Sequence, residues 1–120
     1  MPSNEKRTSP ESLTPLRPVI FQILLILNDE ERHGYGIMQD VNAQSRVGSI
    51  LGPGTLYRTL NEMQRLDLIE RSDRRPAPDA DDERRRYYRL TEFGRQVATA
   101  EAARMAGLVQ TARAGDLLSQ

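Results

Sequence analysis

The chain has 120 residues, enough for one compact domain with an appendage and too few for two ordinary domains. Its 17 basic residues balance 17 acidic ones, which argues against a binder that works by bulk positive charge. Cysteine is absent from the sequence, which excludes disulfides, thiolate metal sites and thiol catalysis and suits a reducing cytoplasm.

Residues 1–12 have almost no apolar content and read as a disordered tail with no resemblance to a signal peptide. A first helix is expected to start near Thr14, with Pro15 or Pro18 in its opening turn, where a missing N–H costs little. Val19, Ile20, Ile23, Leu24 and Leu27 give it apolar residues on nearly every side, so it is buried on more than one face. The run from Val19 to Leu27 is far short of the roughly 20 residues that span a bilayer, so no membrane partner and a cytoplasmic location are expected. The polar stretch Asp29 to Arg32 ends this helix.

His33-Gly34-Tyr35-Gly36 reads as a turn, and a short second helix follows with Ile37, Met38 and Val41 facing inward. As the only histidine, His33 is better read as a turn residue hydrogen-bonding near that helix than as a metal ligand, because a zinc site needs three or four ligands. Val47 to Gly52 forms the next connection. Gly52-Pro53-Gly54-Thr55 then opens a third helix, in which Leu56, Leu60 and Met63 fall at i, i+4 and i+7 on one face. The opposite face carries Thr55, Arg58, Glu62 and Arg65, with Tyr57 and Asn61 on a flank.

From Leu68 the period changes. Leu68–Arg71 and Arg86–Leu90 are strand candidates, joined by a charged loop from Ser72 to Arg85 that forms a wing. Thr91 can cap a last helix running from about Glu92 to Arg113. Along it Ala98, Ala102, Met105, Val109 and Ala112 recur at spacings of four and three, a coiled-coil-like seam with no partner left over inside the domain. The fold class is therefore mainly α with a small β-hairpin. A winged helix-turn-helix is expected over residues 13–91, a dimerisation helix over 92–114, and a flexible end over 115–120.

The third helix makes the case for double-stranded DNA. A helix N-terminus carries unpaired N–H groups and a partial positive charge, and an α-helix fits the major groove of B-DNA. Pro53, Gly54, Thr55, Tyr57 and Arg58 lie at that end; Tyr57 either touches phosphate or covers the edge of the core, and Arg58 is suited to a bidentate contact with guanine. The bland alternative for Arg58 is a surface pair with Glu62. Arg74, Arg75, Arg84, Arg85 and Arg86 of the wing would hold the DNA backbone or a minor groove, giving affinity rather than sequence discrimination. Tyr35 and Asn61 are further candidates for backbone contact.

At these residues the chain resembles the PadR family of transcriptional regulators. The resemblance is carried by His33-Gly34-Tyr35-Gly36-Ile37, by Pro53-Gly54-Thr55-Leu56-Tyr57-Arg58-Thr59-Leu60, and by Arg85-Arg86-Tyr87-Tyr88-Arg89-Leu90-Thr91-Glu92-Phe93-Gly94. It covers roughly residues 13–113 and looks like the small subgroup with one C-terminal helix. The resemblance implies a homodimer, in which that helix packs on the first helix and on the partner's last helix. Ile20 and Leu24 would then join Ala98, Ala102, Met105, Val109 and Ala112 at the interface. It further implies an operator with two-fold symmetry and, usually, repression.

Two features depart from the family pattern. Asp79, Asp81, Asp82 and Glu83 at the wing tip would be repelled by phosphate if they faced DNA. Some relatives bind flat aromatic effectors between stacked tryptophans, but tryptophan is absent here, so that pocket is not carried over and any small-molecule effector is left unassigned. No cofactor is expected. The acidic wing and zero net charge motivate an alternative, a winged-helix protein-interaction module that does not touch DNA. An enzyme is a poor third reading, since the sequence has no phosphate-binding glycine loop followed by lysine and no histidine–nucleophile arrangement.

Overall fold

Prolines and polar caps set where the helices begin. The structure, a computed structural model, describes residues 9–44, 50–72 and 86–119. Its elements in chain order are α1 (Pro18–Asp29), β1 (Arg32–His33), α2 (Gly34–Gln44), α3 (Pro53–Arg65), β2 (Ile69–Arg71), β3 (Tyr87–Leu90) and α4 (Glu92–Ala114). Both α1 and α3 carry proline in their first turn, behind extended caps at Arg17 and Gly52. The Thr91 hydroxyl accepts from the Gly94 N–H at 2.8 Å, as expected of a cap for α4, an arrangement worth about 1 kcal/mol.

The first helix starts later than its sequence suggests. Pro10–Leu13 form a separate 3-10 turn that ends at Thr14, whose N–H and hydroxyl both donate to the Glu11 carbonyl, at 3.1 and 2.7 Å. Of the tail expected over 1–12, residues 1–8 lie outside the described residues, while Pro10–Leu13 are ordered in this turn.

The expected hairpin is β2 against β3, antiparallel, with Ile69 opposite Leu90 and Arg71 opposite Tyr88. A third strand, β1, pairs with the other edge of β3, with Arg32 opposite Tyr88 and His33 opposite Tyr87. Two residues are too few to show a strand period, so the sequence alone suggests a helix end and a turn here. Between α3 and the sheet the chain reverses at Asp67, which takes the left-handed conformation (φ 66°). Gly94 is required where the first turn of α4 meets Leu68, just before β2: a Cβ there would collide with the Leu68 carbonyl oxygen.

One core joins the four helices with β2 and β3. Ile23, Leu24 and Leu27 of α1 meet Ile37 and Val41 of α2, Leu56, Leu60 and Met63 of α3, and Leu68, Tyr88 and Val97 around the sheet and α4. Each large aliphatic side chain buried here contributes about 1.5–3 kcal/mol. One carboxylate is buried beside this core. The Glu101 side chain on α4 is wholly covered and accepts two bonds from the Arg104 guanidinium, at 2.9 and 2.8 Å, and one from the Leu16 N–H at 3.3 Å. Its hydrogen bonds from Arg104 outweigh the opposing effect of burial and hold its pKa below the ordinary value. The contact ties the segment before α1 onto α4. Among the described residues, no helix is long and apolar enough to cross a membrane.

Candidate nucleic-acid interface

The third helix has the division of faces that its spacing predicts. Leu56, Leu60 and Met63 are fully buried, while Thr55, Arg58, Asn61 and Arg65 are exposed. Among the described residues, nothing covers its N-terminal tip. Pro53 and Gly54 are exposed, and a Cβ built on Gly52 would meet nothing within 4 Å. Among the described residues nothing stands over the first-turn N–H groups of α3, and the positive end of the helix dipole lies behind them.

Arg58 leans back along this tip. Its Nη2 donates to the Thr55 Oγ1 at 3.2 Å, and Gly54 leaves the room over which the guanidinium lies. The alternative pairing of Arg58 with Glu62 is not adopted, because Glu62 is taken by Arg17 at the start of α1, at 2.8 Å. Arg17, Arg58, Arg65 and Glu62 line an open groove of about 520 Å³ along the outer face of α3, together with Thr55 and Asn61. Among the described residues, three guanidinium groups against one carboxylate leave the groove net positive.

One side chain on α2 holds the tip in place. The Asn42 side chain on α2 bridges to the residue before the cap of α3: its Nδ2 donates to the Leu51 carbonyl at 3.1 Å, and its Oδ1 accepts from the Leu51 N–H at 2.7 Å. This pair fixes the two ends of the connection whatever the path between them. His33 caps α2, its Nδ1 accepting from the Gly36 N–H at 2.9 Å, while its ring meets Tyr87 edge-on at 5.4 Å. Nδ1 is an acceptor only in the neutral ring, so the cap specifies the Nε2–H tautomer. Among the described residues, no three of His, Cys, Asp or Glu come together as a metal site.

Several expected site residues lie elsewhere. The Tyr57 hydroxyl is buried, not presented to a phosphate, and the ring lies against Gly34, where a Cβ would come within 2.7 Å of that oxygen. Tyr57 follows the core residue Leu56, and its ring closes the gap between α3 and the start of α2. Tyr35 is half-exposed at that same start. Arg86 is exposed where β3 begins, and Arg74, Arg75, Arg84 and Arg85 lie outside the described residues, as does the acidic wing tip.

The seam residues divide into two groups. Ile20 and Leu24, expected at a partner interface, are only 4% and 0% exposed within the chain's own core, and Ala98 is buried with them. They present no surface to a second chain, because α1 is covered by α2, β3 and α4. Further along α4 the helix leaves the domain. Met105 and Ala112 are half-buried, Ala102 and Val109 exposed, and the neighbouring Leu108 is 58% exposed.

Sequence reading missed Arg17 and Asn42. Starting the first helix at Thr14 placed Arg17 inside it and hid its position at the cap. Asn42 has no signal beyond being a polar residue near a helix end.

Comparison with known proteins agrees with this geometry. The model of the transcriptional regulator PadR-like family matches residues 23–100. A PadR family transcription regulator from Clostridium difficile R20291 has a similar structure, with a TM-score of 0.67 and 24% identity, covering 79% of this chain and 94% of that one. A PadR-like transcriptional regulator from Bacillus cereus superposes with a TM-score of 0.64 at 25% identity, over 85% of this chain and 93% of the other. RosR of H. salinarum gives 0.63 and 23%, over 88% and 96%. No curated protein matches the sequence.

Proposed function

Because the chain belongs to the PadR-like family of transcriptional regulators, a family of DNA-binding proteins and not of enzymes, we propose that it represses transcription as a homodimer on a two-fold-symmetric operator. Each copy sets the tip of α3 into the major groove of one half-site. The observation that carries this reading is the open N-terminus of α3, with Thr55, Arg58 and Asn61 exposed on a net positive face. A base-edge contact from Arg58 would supply discrimination, and first-turn N–H groups together with arginines would hold phosphates.

The second copy joins through the exposed end of α4. Met105, Leu108, Val109 and Ala112 form an apolar stripe there, with Leu108 and Val109 exposed and Met105 and Ala112 half-buried. Two tips held about one helical turn of DNA apart need such a connection. Fluorescence anisotropy with duplexes from the chain's own promoter tests the reading. Binding is expected to be tight at low salt and to fall steeply toward physiological salt, as counterion release requires. Absence of binding even at low salt would replace this reading with a protein-interaction role.

A further inference from the structure

We propose that Arg17 is a DNA-phosphate ligand that Glu62 holds in place at the rim of the groove; the inference rests on the DNA-binding reading of α3. Its starting point is a misfit. Glu62 lies on the outward face of α3, on the same surface as Arg58 and Arg65. The ten residue steps from Thr55 to Arg65 rise about 15 Å along the helix, whereas the major groove is about 12 Å wide. With the tip of α3 in the groove, its C-terminal half lies at the rim, where the phosphates run. A bare carboxylate at that position would repel DNA.

The structure shows that this carboxylate is not bare. Arg17, from the cap of α1, crosses to it with Nη2 at 2.8 Å from Oε1 and Nη1 at 3.4 Å from Oε2. The Arg17 side chain nevertheless remains 56% exposed. A guanidinium carries five N–H donors, and Glu62 uses one face of the fork. Arg17 lines the same groove as Arg58 and Arg65, and donors beyond those that Glu62 takes are left for a ligand there. A long side chain already fixed by a neighbouring carboxylate loses less freedom when it meets a phosphate, so the pair pre-organises the cation. Glu62 is the positioning residue and Arg17 the ligand. The site therefore draws on the cap of α1 as well as on the helix-turn-helix.

Salt dependence on a mixed-sequence duplex of 30 base pairs tests this without knowledge of the operator, because phosphate contacts carry non-specific binding. Affinity is measured from 50 to 200 mM salt for wild type, Arg17→Ala, Arg17→Lys, Glu62→Gln and the double variant Arg17→Ala/Glu62→Gln. Loss of one phosphate contact lowers the salt slope by about 0.9, so Arg17→Ala should lose about 3.5-fold less affinity than wild type over that range. The same difference is expected in the Glu62→Gln background, because the glutamine amide oxygen still accepts from the guanidinium and holds it at the rim, and Arg17→Lys should keep most of the slope. If Arg17→Ala acts only while Glu62 is intact, Arg17 merely neutralises a carboxylate and the proposal is overturned. Arg95→Ala removes an equal charge from α4, outside the groove; an equal drop in slope there would reduce the effect to bulk charge and overturn it too. A wild-type protein that shows no salt-dependent binding defeats the DNA-binding reading itself, an outcome distinct from either.

Discussion

Replacing Arg58 by alanine separates recognition from folding. Arg58 is exposed, and its one described bond, to Thr55 at 3.2 Å, lies in solvent, so its removal should change stability by no more than a few tenths of a kcal/mol. Alanine is a better helix former than arginine, which offsets even that. If Arg58 reads a guanine edge, the variant forfeits about 1–3 kcal/mol at one base pair, which is roughly 5- to 150-fold in affinity. The assay is anisotropy on an operator selected from a random duplex library, followed by each single base-pair change in that operator. Wild type should discriminate strongly at one guanine position per half-site, and Arg58→Ala should bind all four bases there alike. Thermal melting should coincide for the two proteins. A variant that keeps wild-type affinity and wild-type base preference would remove Arg58 from the recognition surface.

Other consequences follow from packing and charge. Met105→Glu with Val109→Glu puts two carboxylates on the apolar stripe of α4, and sedimentation should then find a monomer with a normal melting curve; an intact dimer would place the interface elsewhere. Gly94→Ala drives a methyl group into the Leu68 carbonyl and should lower stability by at least about 1–3 kcal/mol in a denaturant titration, with wild-type stability the contrary result. Asn42→Ala removes both bonds to Leu51 and should cost about 1–3 kcal/mol, and it should weaken operator binding as well; binding and stability equal to wild type would show that the tip of α3 is set by other contacts. Glu101 gives the fold a pH dependence of known sign. Its folded pKa lies below the ordinary 4.5, so its stabilising contribution is complete above that value and is lost as pH falls through the folded one. Urea midpoints should therefore fall below about pH 4.5 in wild type and fall less steeply in Glu101→Gln.

What the sequence revealed depended on whether a residue's role was local. The faces of α3 follow from the i, i+4, i+7 spacing of Leu56, Leu60 and Met63, and the cap at Thr91 from a hydroxyl before an alanine-rich helix. Both are set within a few residues of chain. Arg17 and Glu62 are 45 positions apart, and nothing local to either announces the pair. β1 exists because β3 has an open edge, not because Arg32 and His33 have strand propensity. Ile20 and Leu24 show a different limit. An apolar residue covered by its own chain and one covered by a second copy look the same in sequence, and only the placement of α2, β3 and α4 around α1 separates them. Glu101 is the converse case, a carboxylate in an exposed-looking helix that Leu16 and Arg104 together bury.

Methylation protection at guanine N7 on a selected operator tests the central claim most directly, because N7 lies on the floor of the major groove. Two patches of protected guanines are expected, one in each half-site and about one helical turn apart, and Arg58→Ala should lose the protection at a single guanine in each. A saturated complex in which every N7 stays as reactive as in naked DNA would show that α3 never enters the groove.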